Sequence, residues 1–581
     1  MLKGPLARSV GALIYYCVIR ATDTRRPEAA TTGAASRVHD VLPASVRALR
    51  PRALPGLAAV LLLGLPMLLV GLPVLLAGVP GGVPAVGGVA FAASGRTFYV
   101  DCDAGSDASS GLVTTEAWRS LGPPSRALLG PGDSVLLKRG CHWQSPLTID
   151  GSGTAAQPLT IGAYGDGDLP VVENAGTDIA VNGSYVVVED VHVRADAPTV
   201  DRVCQNQRAG TRFGIRLGPG ASHDTVQDSL ITELYSGVRL DLGSHDNRIV
   251  HNVFKDNNMK SDVASSDAGA VAIDLQSDNN EIGYNTISGS DACSHFFNGR
   301  DGSAISVFGG RGNVIHHNLS LENHDFIEVG DPRSRDNLII YNADRSSLVW
   351  ANFLVVHGDN SKYGPVLNTR AGHNTSVLTG ANSASIITVG DVTGVNVSVH
   401  ANILWDDATI AGGQNQFDEG DNIFWASNGH PNVGFRLSPS TQLVDPRLVD
   451  ALGGDFHLLP DSPAIDAVRP LDLGPFGAVD MAGTPVPQGF EPDIGAYEFV
   501  EPQAPASSGD QVGPGPGSTG APIPGSTARP LASPAPTPAP GAIPELTPAK
   551  SSDGGLLLPL VIVLGVGAGA AILLLLRRRG F

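Results

Sequence analysis

The phrase Asn247-Arg248-Ile249-Val250-His251-Asn252 returns as Asn280-Glu281-Ile282-Gly283-Tyr284-Asn285, as Asn313-Val314-Ile315-His316-His317-Asn318 and as Asn337-Leu338-Ile339-Ile340-Tyr341-Asn342. A fifth copy ends at Asn402, with its first asparagine slipped to Asn396. The closing asparagines stand 33, 33, 24 and 60 residues apart. A repeat strict in phrase and loose in length is one structural unit with variable loops, and such a period belongs to solenoids. The surrounding residues alternate apolar and polar and are punctuated by Gly, Asp and Ser, as in Gly237-Val238-Arg239-Leu240 and Ala304-Ile305-Ser306-Val307. That pattern reads as short strands.

Stacked coils lie about 4.8 Å apart. An inward asparagine at the same bend of each coil can therefore bond to the next and satisfy buried backbone. The apolar residue three positions earlier (Ile249, Ile282, Ile315, Ile339, Val399) then stacks in the core. The expectation is an all-β chain, a right-handed parallel β-helix of about ten coils between Pro158 and Trp425.

The 581 residues are 42% apolar, ample for one large core, and carry a formal charge of −19. So acidic a chain does not recruit nucleic acid, and it disfavours polyanionic glycans unless a cation such as Ca²⁺ inverts the local sign. Residues 1–92 read as a leader with a basic stretch and an apolar run, closing at Ala90-Phe91-Ala92. Residues 501–555 are rich in Pro, Ala, Gly and Ser and read as a disordered stalk. Residues 556–576 are uncharged and long enough to span a bilayer, and Arg577-Arg578-Arg579 in the 577–581 tail place that tail in the cytoplasm. The expected location is the cell membrane, single-pass, with the folded part extracellular. Cys102, Cys141, Cys204 and Cys293 are then disulfide candidates. Four cysteines allow three pairings, and the expected one is Cys102 with Cys141 and Cys204 with Cys293.

Two stretches outside the repeat carry a resemblance. Phe98-Tyr99-Val100-Asp101 through Gly105-Ser106-Asp107, then Trp118-Arg119-Ser120-Leu121 and Pro131-Gly132-Asp133-Ser134-Val135, resemble the N-terminal cap of right-handed parallel β-helix proteins of the pectate-lyase-like superfamily. Asp455-Phe456-His457-Leu458, Ser462-Pro463-Ala464-Ile465-Asp466 and Asp493-Ile494-Gly495-Ala496-Tyr497-Glu498 resemble a C-terminal choice-of-anchor Q type module. Val468 departs from the glycine usual in that module. The resemblance implies a capped β-helix over 97–430, the module over 431–500 and a place on the cell surface. It does not name a reaction, because such folds host lyases, hydrolases, epimerases and inert adhesins. Caps at both ends oppose open-ended stacking, so a monomer is expected.

The bare coil is 23–24 residues, and three insertions (197–212, 258–269, 291–302) fall at one place in it. Loops stacked at one turn make a wall, and a wall beside a sheet makes an axial groove suited to a polysaccharide or a cell-surface glycan. A lyase needs a cation for the uronate carboxylate, a base and a proton donor. Lys260, His295 or Arg300 supply the base, and Asp274, Asp325 and Glu328 are the expected Ca²⁺ ligands. A hydrolase needs two carboxylates, for which Asp274 and Asp301 are the expected pair, with Glu328 a further catalytic candidate. A polysaccharide lyase is favoured over a glycoside hydrolase; the alternative is a non-catalytic adhesin. His324 also falls on the groove side. Asp301-Gly302 equally suits a plain turn. Trp350, Trp405 and Trp425 suit either sugar platforms or core packing, and His316 and His317 suit stacking beside the ladder.

Overall fold

The computed structural model describes residues 95–196, 210–260, 269–294, 299–411 and 416–501. The leader, the stalk, the membrane span, His295 and Cys204 lie outside them. Among the described residues, no helix is long and apolar enough to cross a membrane.

Three long parallel sheets run the length of the molecule, and each coil visits them in turn. Sheet A has twelve strands, from Thr97–Val100 to Gln416–Gly420; sheet B has eleven, from His142–Trp143 to Ile423–Trp425. Sheet C stacks nine strands, from Leu147–Ile149 to Ala384–Val389, and Ala292–Cys293 adds a short antiparallel strand to Arg300–Phe308. This all-β architecture is consistent with a right-handed β-helix. Ten strands of sheet A fall between Leu159–Tyr164 and Gln416–Gly420. The residues resembling a cap contribute coils of their own, because Phe98, Val100, Val135 and Leu137 bury on alternate positions and pair in register. Cys102 and Cys141 are joined there by a disulfide. Cys293 is also disulfide-bonded.

The repeated phrase is one sheet A strand with the bends at its two ends. At the A–B bend the amide oxygen of each closing asparagine accepts the backbone N–H of the asparagine one coil earlier. Asn252 donates to Asn285, Asn285 to Asn318 and Asn318 to Asn342, all at 3.0–3.1 Å. The 60-residue gap contains a missing rung. Asn342 donates to Asn374 and Asn374 to Asn402, and Asn422 extends the ladder further. At the A strand's other end Asn247, Asn280, Asn313 and Asn337 form a second ladder of the same kind. Ile249, Ile282, Ile315, Ile339 and Val399 are fully buried between the two.

The residue before each rung of the first ladder has left-handed backbone: His251, Tyr284, His317, Tyr341 and His373 all have φ between 49° and 58°. A bulky residue is rarely found there. Ring stacking offsets that cost, with centroids 4.9 Å apart for His251–Tyr284 and Tyr284–His317, and 5.0 Å for Tyr341–His373. His316 and His317 are therefore scaffold. After Trp425 the chain turns back onto the same bend. Gly495 donates to the Ala401 carbonyl, Ala496 donates to Thr375 Oγ1, and the Asp493 carbonyl meets His373 Nδ1.

Candidate active site at the B–C bend

All three insertions leave the solenoid between sheets B and C, at the opposite bend from the stacked rings. Sheet C is the floor beside them. Its strands are bent, because the pairing passes over Gly237, Ala272, Ala304, Phe326 and Phe353. The bend at Phe326 lets Phe326, Ile327 and Val329 all bury while Glu328 faces outward.

Asp301, His324 and Asp325 meet at this bend. One ligand atom from each lies within 4.8 Å of the other two. Asp301 opens the Arg300–Phe308 strand and accepts the backbone N–H groups of Gly269 and Gly302, both at 3.0 Å. Gly302 is required, because its φ is +156° and a Cβ there would run into the Ser290 carbonyl. His324 Nδ1 lies 3.0 Å from Asp325 Oδ1, and both side chains are buried. Asn352, one coil on, donates to the same carboxylate at 2.6 Å. Burial, reinforced by the charges of Asp325 and Glu328, pushes the Asp301 carboxyl up to about 7. Burial disfavours the His324 imidazolium, yet Asp325, with Asp301 and Asp291, outweighs it and pushes that pKa up to about 9. The bend thus holds a carboxyl that keeps its proton near neutrality, beside a second carboxylate and an imidazolium.

The other expected residues fall elsewhere. Asp274 is clamped by Arg239 at 2.5 Å, and Arg239 also grips Asp241 at 2.8 Å. Burial still raises the Asp274 pKa from its ordinary value, against the lowering pull of Arg239. Asp274 and Asp301 are not a catalytic pair: Asp301 sits beside the strand position of Gly269, five residues from Asp274, or roughly 16 Å along the strand. Asp274, Asp325 and Glu328 do not converge as Ca²⁺ ligands either, because the Ser306 strand separates Asp274 from Glu328 and Arg239 occupies the former. Glu328 is bound by His357 Nε2 at 3.0 Å. Arg300 is held by Asp291 at 2.5 Å. Lys260 stands where the second insertion leaves sheet B, and its carbonyl accepts the Gly210 N–H. Trp405 and Trp425 pack edge to face at the ends of their sheet B strands, in coils beyond the Asp301 cluster, whereas Trp350 shortly precedes Asn352.

Asn352 and His357 were not singled out from sequence. Their signal is the coil length: Ser303 pairs with Asp325 and Asp325 with Asn352, so sliding by one coil from an acidic residue finds its neighbours.

No family model matches the chain. A lacto-N-biosidase of Bifidobacterium longum is 42% identical over 90 residues, which is 14% of this chain and 6% of that protein. An alpha-1,3-galactosidase A of Akkermansia muciniphila is 31% identical over 70 residues, 12% of each chain. Among solved structures, pectate lyase Pel9A shares 14% identity over 70% of this chain and 96% of its own, with a TM-score of 0.42. The chain thus spans only a small part of the curated relatives it matches.

Proposed function

We propose that this chain is an extracellular carbohydrate-active β-helix protein that hydrolyses a glycosidic bond at the B–C bend. The observation that carries the reading is Asp301, a carboxyl with its pKa at about 7, with the Asp325 carboxylate in the same 4.8 Å cluster. Asp301 donates its proton to the leaving glycosidic oxygen, the role that needs an acid still protonated near neutral pH. Asp325, held by His324 and Asn352, faces the positive charge that develops on the sugar. The Asp301 and Asp325 carboxyls approach to within 4.8 Å, which suits the close spacing, roughly 5 Å, of glycosidases that retain configuration and not the wider spacing of those that invert it. The glycosidase names of the two curated relatives point the same way.

Hydrolysis displaces the lyase reading as the preferred one for a physical reason. The cluster pairs a protonated carboxyl with a carboxylate, as hydrolysis needs. Arg239, Arg300 and Arg333, which could neutralise a uronate, are each ion-paired within the chain. A cation held by Asp301, His324 and Asp325 would restore the lyase reading, and assay with and without Ca²⁺ separates the two. We further propose that residues 556–576 hold the protein in the membrane and that the segment that turns back after Trp425 is a choice-of-anchor Q type module.

The test incubates the full chain with a glycan panel, with and without Ca²⁺. New reducing ends that lack ultraviolet absorbance and do not depend on Ca²⁺ are expected. Products absorbing in the ultraviolet would replace this reading with a lyase, and binding without products would replace it with an adhesin.

A further inference from the structure

A second cluster on the floor of sheet C lies at the opposite end of the same strands and is linked to Asp301 through the charge of Glu328. Phe308 ends one strand, His357 ends another two coils on, and Tyr363 follows in the loop. Their rings meet edge to face: Phe308–Tyr363 centroids are 5.5 Å apart and His357–Tyr363 centroids 5.7 Å. The arrangement is built into the backbone. A Cβ on Gly330 would stand 2.7 Å from the Phe308 ring, so this glycine lets the ring lie against the next coil. Gly309 does the same for the Arg333 guanidinium. Tyr363 remains 42% exposed, with the Lys362 ammonium 4.5 Å from its centroid.

Beside the rings is a fixed polar pair. His357 is oriented by Ser361 at 2.7 Å on Nδ1 and meets Glu328 Oε1 at 3.0 Å through Nε2. Glu328 faces outward between the rings and the Asp301 cluster, with its side chain 26% exposed. An exposed aromatic edge with a carboxylate acceptor alongside suits a sugar ring, whose C–H face is apolar and whose rim donates hydrogen bonds. From Asn352, which touches Asp325, to His357 is five strand residues, or about 17 Å. A single sugar cannot fill both ends.

We propose that Tyr363, Phe308 and the Glu328–His357 pair form a second, remote subsite for a neutral pyranose, so that the groove selects oligosaccharides over short glycosides. The protein's acidity and the local acceptor favour a neutral sugar over a uronate. This inference rests on the carbohydrate reading above.

The experiment uses the Asp301→Asn variant of the full chain, so that ligand is not consumed. Calorimetry measures its binding to neutral gluco- and galacto-oligosaccharides, with and without N-acetylated sugars, two to six units long. Tyr363→Ala in that background is expected to weaken binding of the longest bound oligosaccharide about ten-fold. Tyr363→Phe, which keeps the ring, is expected to restore it to within about two-fold. Tyr363 is exposed on a loop, and an unchanged unfolding midpoint confirms an intact fold. Equal binding by Tyr363→Ala and its parent overturns the subsite and leaves the hydrolytic reading standing. A parent that binds none of these sugars, together with a wild-type chain that cleaves none, overturns both.

Discussion

The A–B and B–C bends belong to the same coils and handle polar atoms in opposite ways. At the A–B bend seven asparagines, from Asn252 to Asn422, pass hydrogen bonds from coil to coil without a break. At the B–C bend Asn257 and Asn323 each make a similar contact, to Leu234 and Ser290, but among the described residues these do not join into a continuous ladder. Insertions enter instead, and carboxylates collect beside them. The first bend satisfies every rung internally and so fixes the register. The second leaves titratable groups crowded together, His324 and Asp325 buried and Asp301 partly so, a state that costs stability and has chemical use.

Four changes break or sharpen that contrast. Asp301→Asn should lower glycan cleavage at least ~100-fold, the usual scale for removing a proton donor, while leaving the unfolding midpoint near that of the wild type. Reducing-end assays and urea unfolding check both halves. Asn285→Leu should do the reverse. It leaves the Asn252 N–H and the Ile249 carbonyl without their partner and should cost about 3 kcal/mol in urea unfolding. If stability is unchanged, the ladder is not what holds the coils in register.

A third change concerns a buried acid of sheet B that feels the charge of Asp325. Burial pushes Asp344 up to about 7 although Ser320 and Ser376 bond it. A carboxyl with a folded pKa above its unfolded value binds its proton more tightly when folded. Its contribution to stability is therefore full below about 4 and is lost as pH rises towards 7. Asp344→Asn should accordingly raise the unfolding midpoint at pH 8 and leave it little changed at pH 4. Equal effects at the two pH values would contradict that assignment. The smallest change expected is Tyr284→Ala, which removes one ring from between His251 and His317 and should cost about 0.5–1.5 kcal/mol beyond the lost burial.

The A–B bend was legible because its requirement is local. An asparagine, an apolar residue three places before it and a fixed phrase between them are enough to place a strand and its corners. The rung at Asn374 escaped because Ala371 replaces the isoleucine and the opening asparagine is slipped one place to Asn368, with Thr369 in its position. The stacked rings also stood in plain order, each just before its asparagine, but only the left-handed backbone explains why they align. At the B–C bend the insertions showed where to look. Which acids meet there depends on strand pairing and on the bends at Ala304 and Phe326, and neither leaves a motif. Hence Asp301 and Asp325 were separate candidates, joined in the sequence reading to Asp274, which Arg239 in fact holds.

The most direct measurement is the pH dependence of reducing-end release by the full chain on a glycan it cleaves, with Asp301→Asn alongside. A proton donor with a pKa at about 7 predicts a rate that falls as pH rises through 7, and no comparable release by the variant. Full activity persisting well above pH 8, or wild-type rates from Asp301→Asn, would contradict a catalytic site at the B–C bend.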